Sequence, residues 1–400
     1  MSMNDTFRKT DIRKVMKARV IAYYLPQFHP IPENDAVWGK GFTEWTNVAK
    51  ARPLFRNHYQ PRIPADLGFY DLRLPEVREQ QAELAREAGV EGFCYWHYWF
   101  GNGKMLLQRP FEEVLKSGKP DFPFCFCWAN HDWTTGTWQN GGGTRMIAKQ
   151  EYPGVEDYIA HFNYCLPAFR DHRYITVEGK PLFLLFDAYF FTDIARFIEV
   201  WREQAIKHGL PGIYFVALAK STTTATRRDD GTFERHMPDL QSSAKVYKDI
   251  LSLGFDGINS FGKPRAEMIY GGRTMNLIRK ALHERISWLP AMRYDYPKVV
   301  CHFFAPEDSW NNVYPSILPG WDRSPRIGTE EGVYVNVTPK EFETHVRHAL
   351  TFVSDRDADH RILFLRSWNE WAEGNYMEPD LKFGHGYIEA LRRAVDATAE

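Results

Sequence analysis

Residues 367–380 read SWNEWAEGNYMEPD, and they crowd three carboxylates, Glu370, Glu373 and Glu378, beside Trp368, Trp371 and Tyr376. Carboxyl groups held close together cannot all ionise easily, so at least one keeps its proton to a higher pH. That is the equipment for general acid–base work. Cleaving a glycosidic bond needs one carboxyl to protonate the leaving oxygen and a second to act as base or nucleophile. Glu370 and Glu373 lie three apart, so on a turn both can face one pocket. Trp and Tyr supply flat apolar surface for the C–H faces of sugar rings. Glu-x-x-Glu alone is common on solvated helices. Its place is what sets it apart here: it directly follows Ile362–Leu365, an apolar run that reads as a short buried strand.

Positioning these groups is the task of the elements around them. Strands are predicted at Arg19–Leu25, Gly92–Tyr98, Phe122–Trp128, Pro181–Asp187, Ile213–Leu218, Gly254–Asn259, Lys298–Phe303 and Ile362–Leu365. Helical spacing falls between them, at Pro75–Ala88, Phe111–Ser117, Val155–Arg170, Thr192–His208, Ala244–Leu251, Met275–Leu289, Pro339–Val353 and Gly386–Ala399. Gly89 and Gly209 stop two of these helices, and Thr338 caps another with Glu341 three residues on. Eight alternations point to the α/β class and a (β/α)8 TIM barrel; a doubly wound sheet shares the same alternation. The predicted organisation is an N-terminal extension, residues 1–18, and one barrel domain, residues 19–400. Long insertions follow strands one, three, five and seven, and Ser221–Met237 is the most loop-like of them.

Working groups of such a barrel sit after the C-terminal ends of its strands. Strand one is followed by Pro26-Gln27-Phe28-His29, strand two ends in Trp96-His97-Tyr98-Trp99, and strand three runs into Trp128-Ala129-Asn130-His131-Asp132-Trp133. Strand four delivers Asp187, strand six Asn259, strand seven Glu307, Asp308 and Trp310, and strand eight Asn369 to Glu373. Polar and aromatic residues thus gather at one rim, as a carbohydrate cleft requires. Plainer readings stand beside several of these. His97, flanked by aromatics, has the setting of a hydrogen-bonded core histidine. His97, His131 and Asp132 resemble a mononuclear metal site, but the spacing is poor, so neither a metal nor a cofactor is expected. Asp355-Arg356-Asp357 has a D-x-D pattern but precedes strand eight, at the opposite barrel end. Gly141-Gly142-Gly143 lacks the Lys-Ser/Thr of a phosphate loop.

The bulk numbers exclude some classes. Net charge is −1, from 50 Lys+Arg against 51 Asp+Glu, so no nucleic-acid partner is expected. The aromatic share is 15%, which suits a sugar-lined cleft as well as a large core. Five cysteines, Cys94, Cys125, Cys127, Cys165 and Cys301, make no disulfide framework, and four of them (all but Cys165) sit in apolar runs that predict burial. The start, MSMNDTFRKTDIRKVMKAR, has no apolar core of signal-peptide length, and no run approaches eighteen apolar residues. A cytoplasmic protein without a membrane span is the expectation; nothing in the pattern sets an oligomeric state.

Four stretches carry a family resemblance: AYYLPQFHPIPENDAVWGKGFTEWTNV (Ala22–Val48), GFCYWHYWF (Gly92–Phe100), CWANHDWT (Cys127–Thr134) and SWNEWAEGNYMEPD. Together they resemble the WbsX family, whose members accompany bacterial polysaccharide and O-antigen assembly and bear the label glycosyltransferase. More distantly the chain is similar to family-99 glycoside hydrolases, retaining, metal-independent (β/α)8 barrels that act on α-mannosides. Their Asn-Glu-Trp-x-Glu-Gly signature falls on Asn369-Glu370-Trp371-Ala372-Glu373-Gly374. The resemblance implies that Glu370 is a base that deprotonates the sugar's own 2-hydroxyl to give an epoxide-like intermediate. It makes Glu373 the acid and then the base for water, and Glu378 a later signature position. Ala372 stands where the mannosidases usually have His, and the other three stretches follow WbsX, so mannose specificity does not carry over. Substrate contacts implied at the strand ends are Tyr24, Trp96, His97, Tyr98, Trp128, Asn130, His131, Asp132, Asn369, Trp371 and Glu378.

The expected function is retaining, glycoside hydrolase-like cleavage of an α-linked bacterial oligosaccharide or lipid-linked glycan. The alternatives are a glycosyltransferase of O-antigen or capsule assembly, a carbohydrate-binding barrel without catalysis, and a metal-dependent deacetylase built on His97, His131 and Asp132.

Overall fold

The computed structural model describes residues 18–137, 145–220, 224–227, 233–236, 239–272, 278, 282 and 291–397. Eight parallel strands form the centre: β1 (Arg19–Tyr24), β2 (Gly92–Trp99), β3 (Phe124–Trp128), β4 (Lys180–Leu185), β5 (Tyr214–Lys220), β6 (Gly257–Phe261), β7 (Val313–Ile317) and β8 (Ile362–Leu365). Each pairs with its neighbours in chain order, and β1 also pairs with β8, with Arg19 opposite Ile362 and Val20 opposite Leu363. The sheet is therefore a closed barrel. Its strands are buried on both faces and read as near-continuous apolar runs.

Helices follow the strands in turn: α1 (Pro75–Ala88), α2 (Arg109–Ser117), α3 (Val155–Phe169), α4 (Ile194–Lys207), α5 (Ala244–Ser252), α6 (Lys263–Gly271), α7 (Pro339–Val353) and α8 (Gly386–Asp396). Gly89 ends α1 in the left-handed region, φ +83°. Thr338 Oγ1 accepts from Glu341 N at 3.3 Å and caps α7. No helix among the described residues is long and apolar enough to cross a membrane.

Period-two alternation sorts each strand into an inner and an outer face. On β2, Cys94, Trp96 and Tyr98 share one face. Trp96 stacks on Tyr23 of β1 inside the barrel, 5.0 Å between ring centroids. Phe93, Tyr95, His97 and Trp99 take the other face, where Tyr95 and Trp99 meet Phe111 of α2 and His161 of α3. Inside, Tyr23 donates to Asn259 Oδ1 at 2.7 Å, and Asn259 Nδ2 donates to Ser316 Oγ at 3.0 Å, tying β1, β6 and β7 together.

The structure departs from the sequence reading at the seventh strand. Lys298–Phe303 is no strand; a short helix, Tyr296–Val300, occupies that region with Pro297 in its first turn. A short apolar run cannot by itself separate a strand from a buried helix segment. The true β7, VYPSI, holds Pro315, which argues against a strand when read alone. In consequence Glu307, Asp308 and Trp310 precede β7 instead of following it, and Cys301 is exposed, not buried. Within Ser221–Met237 the described residues form an antiparallel ribbon, Thr224–Arg227 against Phe233–His236. The N-terminal extension as far as residue 17, Gly141-Gly142-Gly143 and nearly all of the Met275–Leu289 helix lie outside the described residues.

Candidate active site

At the C-terminal end of the barrel a cavity of about 410 Å³ opens among the strand ends. Leu25, Trp96, Tyr98, Ala129, His131, Phe186, Phe261, Arg366, Glu370 and Glu373 line it, with Gln27, Trp133, Phe190, Lys263, Pro264, Trp321, Arg323, Arg326 and Glu331 from the connecting segments. Both glutamates of the acid pair therefore share one wall.

Their surroundings differ sharply. Glu370 is 7% exposed, and among the described residues its Oε2 has only a long contact from Asn375 Nδ2, 3.5 Å. Burial first, then the negative charge of Glu373, push its pKa up to about 8, against the opposing pull of Arg326 and Arg366. Glu373 instead is held by two guanidinium groups: Arg326 Nη1 donates to its Oε1, and Arg323 Nε lies 3.2 Å from the same oxygen. Arg326 is itself fixed from behind by Glu44, fully buried, whose Oε2 accepts from Arg326 Nε at 3.1 Å and Nη2 at 2.9 Å. The turn bearing Glu373 ends at Gly374, φ +59°. A Cβ there would stand 2.8 Å from Asp322 Cβ, so packing and backbone conformation both call for glycine.

Charge continues around the rim. Arg323 Nη1 meets Glu331 at 2.8 Å, and Glu331 meets Lys263 Nζ at 2.8 Å. Burial works to raise Glu331, but Lys263 and Arg323 hold it down at about 2. Lys263 lies over the Trp321 ring, 4.3 Å from its centroid. Sequence reasoning missed Glu44, Lys263, Arg323, Arg326, Glu331 and Arg366. The first stands in the quoted Ala22–Val48 stretch and Arg366 directly after strand eight, so both were visible; the others come from insertions that only folding brings to the rim.

The sequence-predicted contacts divide by face. Trp96, Tyr98 and His131 line the cavity with Glu370 and Glu373. Tyr98 accepts from Gln27 Nε2 at 3.1 Å, and the His131 ring lies 4.9 Å from that of Phe186. Tyr24, His97 and Trp128 occupy the outer face of the barrel, one residue out of phase with the cavity. His97 Nε2 meets His161 Nε2 at 2.8 Å on α3, and burial lowers its pKa to about 3. Tyr24 donates to Gln81 Oε1 on α1 at 2.6 Å, and Trp128 Nε1 donates to Trp99 O at 2.8 Å. Asn130 and Asn369 clamp backbone: Asn130 bonds the N–H and the C=O of Asp187, and Asn369 those of Leu25. Asp132 is exposed and accepts from Gln150 N at 2.7 Å.

Trp371 and Glu378 lie beneath the turn. Trp371 stacks on Tyr376 at 3.8 Å and donates through Nε1 to Glu378 Oε2 at 2.6 Å. Glu378 also accepts from Gln81 Nε2 at 2.6 Å and Tyr70 OH at 2.9 Å. Burial pushes it up to about 7 against these donors. His97, His131 and Asp132 do not converge, since His97 faces the helices while His131 and Asp132 stand at the rim. Among the described residues the group of potential ligands that does converge is His97, His161 and Cys165, packed behind β2.

Comparison with known proteins bears on this arrangement. A family model described as Glycosyltransferase WbsX matches residues 20–391. Two curated relatives, each called "Uncharacterized protein WxcX" and from two strains of Xanthomonas campestris pv. campestris, are 32% identical over 393 residues, 97% of this chain and 51% of each relative. The chain thus spans about half the length of those relatives. Among solved structures, a GH99 endo-alpha-mannosidase from Bacteroides thetaiotaomicron is 16% identical, covers 96% of this chain and 98% of its own, and superposes with a TM-score of 0.55. A "glycoside hydrolase-like protein" is 13% identical, covers 98% of both chains and has a TM-score of 0.57. At such identities the likeness is one of fold, a (β/α)8 barrel. A match running from the first barrel strand into the last helix leaves one assignment: the chain belongs to the Glycosyltransferase WbsX family.

Proposed function

We propose that this carbohydrate-active enzyme cleaves an α-linked bacterial glycan with retention, using Glu370 and Glu373 as its acid–base pair. The observation that carries the proposal is that both carboxyls line one cavity walled by Trp96, Tyr98, Trp133 and Trp321. In the family-99-like order, the Glu370 carboxylate takes the proton from the 2-hydroxyl. The 2-oxygen then attacks the anomeric carbon, the glycosidic bond breaks, and Glu373 protonates the departing oxygen. Water opens the epoxide at the anomeric carbon, giving its proton to Glu373, while Glu370 returns its proton to the 2-oxygen.

The charges around the two glutamates favour a second assignment with the roles exchanged. Glu370 holds its proton to about pH 8, whereas Glu373 carries two guanidinium contacts. In that order Glu370 donates first and Glu373 is the base. An aryl glycoside with a good leaving group separates the two: it restores turnover to whichever of Glu370→Gln and Glu373→Gln has lost the acid, and not to the other. Both variants are expected to lose on the order of a hundredfold or more with natural glycans while still binding them. Wild-type rates in either remove it from the pair. Transfer to a sugar hydroxyl in polysaccharide assembly, the alternative that the family description supports, uses the same groups. Product analysis with and without added glycan acceptor distinguishes it from hydrolysis.

A further inference from the structure

Among the described residues, three of the four cations on the cavity wall are neutralised by protein carboxylates. Lys263 meets Glu331 at 2.8 Å and Glu267 at 3.1 Å; Arg323 meets Glu331 and Glu373; Arg326 meets Glu44 and Glu373. Arg366 differs. It follows β8 on the same face as Phe364, whose ring packs against Tyr23 inside the barrel, and it lines the cavity while being only 6% exposed. Its Nε and Nη1 are buried and meet no hydrogen-bond partner among the described residues. Its neighbours are rings: the guanidinium carbon lies 4.6 Å from the centroid of Tyr23, 4.6 Å from Phe261 and 5.7 Å from Trp96. Glu370 is near enough to feel the charge, yet neither of those nitrogens bonds to its carboxyl.

Ring quadrupoles offset only part of the cost of taking a cation out of water. Hydroxyls of a neutral sugar would satisfy the N–H groups but leave the charge uncompensated. The planar fork of a guanidinium matches the paired oxygens of a carboxylate or phosphate. We propose that the sugar entering the floor of this cavity carries an oxyanion, a carboxylate or phosphate group, and that Arg366 binds it. The substrate would then be an acidic glycan or a glycosyl phosphate. This inference deepens the proposed function and rests on the same cavity being the substrate site.

The test is calorimetric titration of the full chain with methyl α-D-glucuronoside, α-D-glucose 1-phosphate, inorganic phosphate and the neutral methyl α-D-glucoside. At least one anionic glycoside is expected to bind more tightly than the neutral one. Arg366→Met should weaken that binding by roughly thirtyfold or more and weaken the neutral glycoside far less, while Arg366→Lys retains part of the preference. The glucuronoside and the phosphate ester tell the two oxyanions apart. Because Arg366→Met removes a lone buried charge, its Tm should rise, which also shows that it folds. Equal affinity for neutral and anionic glycosides, or anion binding that Arg366→Met leaves intact, overturns the inference. Glu370→Gln distinguishes the two failures. Arg366-dependent anion binding with normal Glu370→Gln turnover sinks the acid–base pair alone; Glu370-dependent turnover without anion preference sinks this inference alone.

Discussion

Glu370 and Glu373 are three residues apart and stand in opposite electrostatic company, one buried beside a like charge, the other clasped by arginines. A stability effect follows. The Glu370 carboxyl holds its proton in the folded state to about pH 8, whereas an unfolded glutamate releases it near its ordinary value of 4.5. Between those two pH values the folded state binds the extra proton, so stability falls as pH rises and levels off above about 8. Gln has no proton to lose. Glu370→Gln should therefore gain in Tm over the wild type across this window, by roughly 2–6 °C between pH 5 and pH 8.5. Thermal melts at stepped pH check it; parallel curves for the two proteins would mean that Glu370 ionises as an ordinary carboxyl. On the proposed mechanism the same substitution would lose activity and gain stability, as expected where function holds a group in an unfavourable state.

At the scale of elements, two short helices do the positioning. Glu44–Lys50 presents Glu44 and Ser324–Ile327 presents Arg326, and their ion pair sets the guanidinium against Glu373. Arg326→Met would deprive the fully buried Glu44 of its ion-pair partner and leave it the 3.4 Å contact from Asn47 Nδ2, an expected loss of about 3–5 kcal/mol by chemical denaturation. It should also lower kcat more than it raises KM, because Glu373 loses one of its two guanidinium contacts while the aromatic walls remain. The turn after Glu373 makes its own demand. Gly374→Ala places a side chain in the left-handed region and against Asp322 Cβ, and should destabilise by roughly 1–3 kcal/mol in the same measurement. An unchanged midpoint would show that the turn can shift.

At the scale of the molecule, barrel closure decides which side chains see the cavity and which see the helices. Among the cysteines, Cys94, Cys125, Cys127 and Cys165 are buried and Cys301 is exposed. The folded protein should therefore present one thiol per chain to an aromatic disulfide reagent, and five after denaturation. Two or more fast thiols in the native state would mean that β2, β3 or the α3 helix packed on them opens far more readily than its packing implies. Closure also lets Asn369, just past the last strand, clamp Leu25 at the end of the first, so a signature residue next to the acid pair serves the barrel seam.

The alternation of strand and helix, the N-cap at Thr338 and the place of the acid pair after the last strand were all legible in the sequence. Each depends on local spacing or on a residue's own neighbours. So was more than was read from it: parity with Cys94 already assigns Trp96 and Tyr98 to one face and His97 to the other. The seventh strand was hidden because Pro315 and a competing apolar run give contrary local signals, and the longer-range packing overrides both. The charge ring of Glu44, Lys263, Arg323, Arg326 and Glu331 belongs to the tertiary structure alone. Its members are scattered over nearly 290 positions of the chain and meet only when the barrel closes, so no spacing rule could have assembled them.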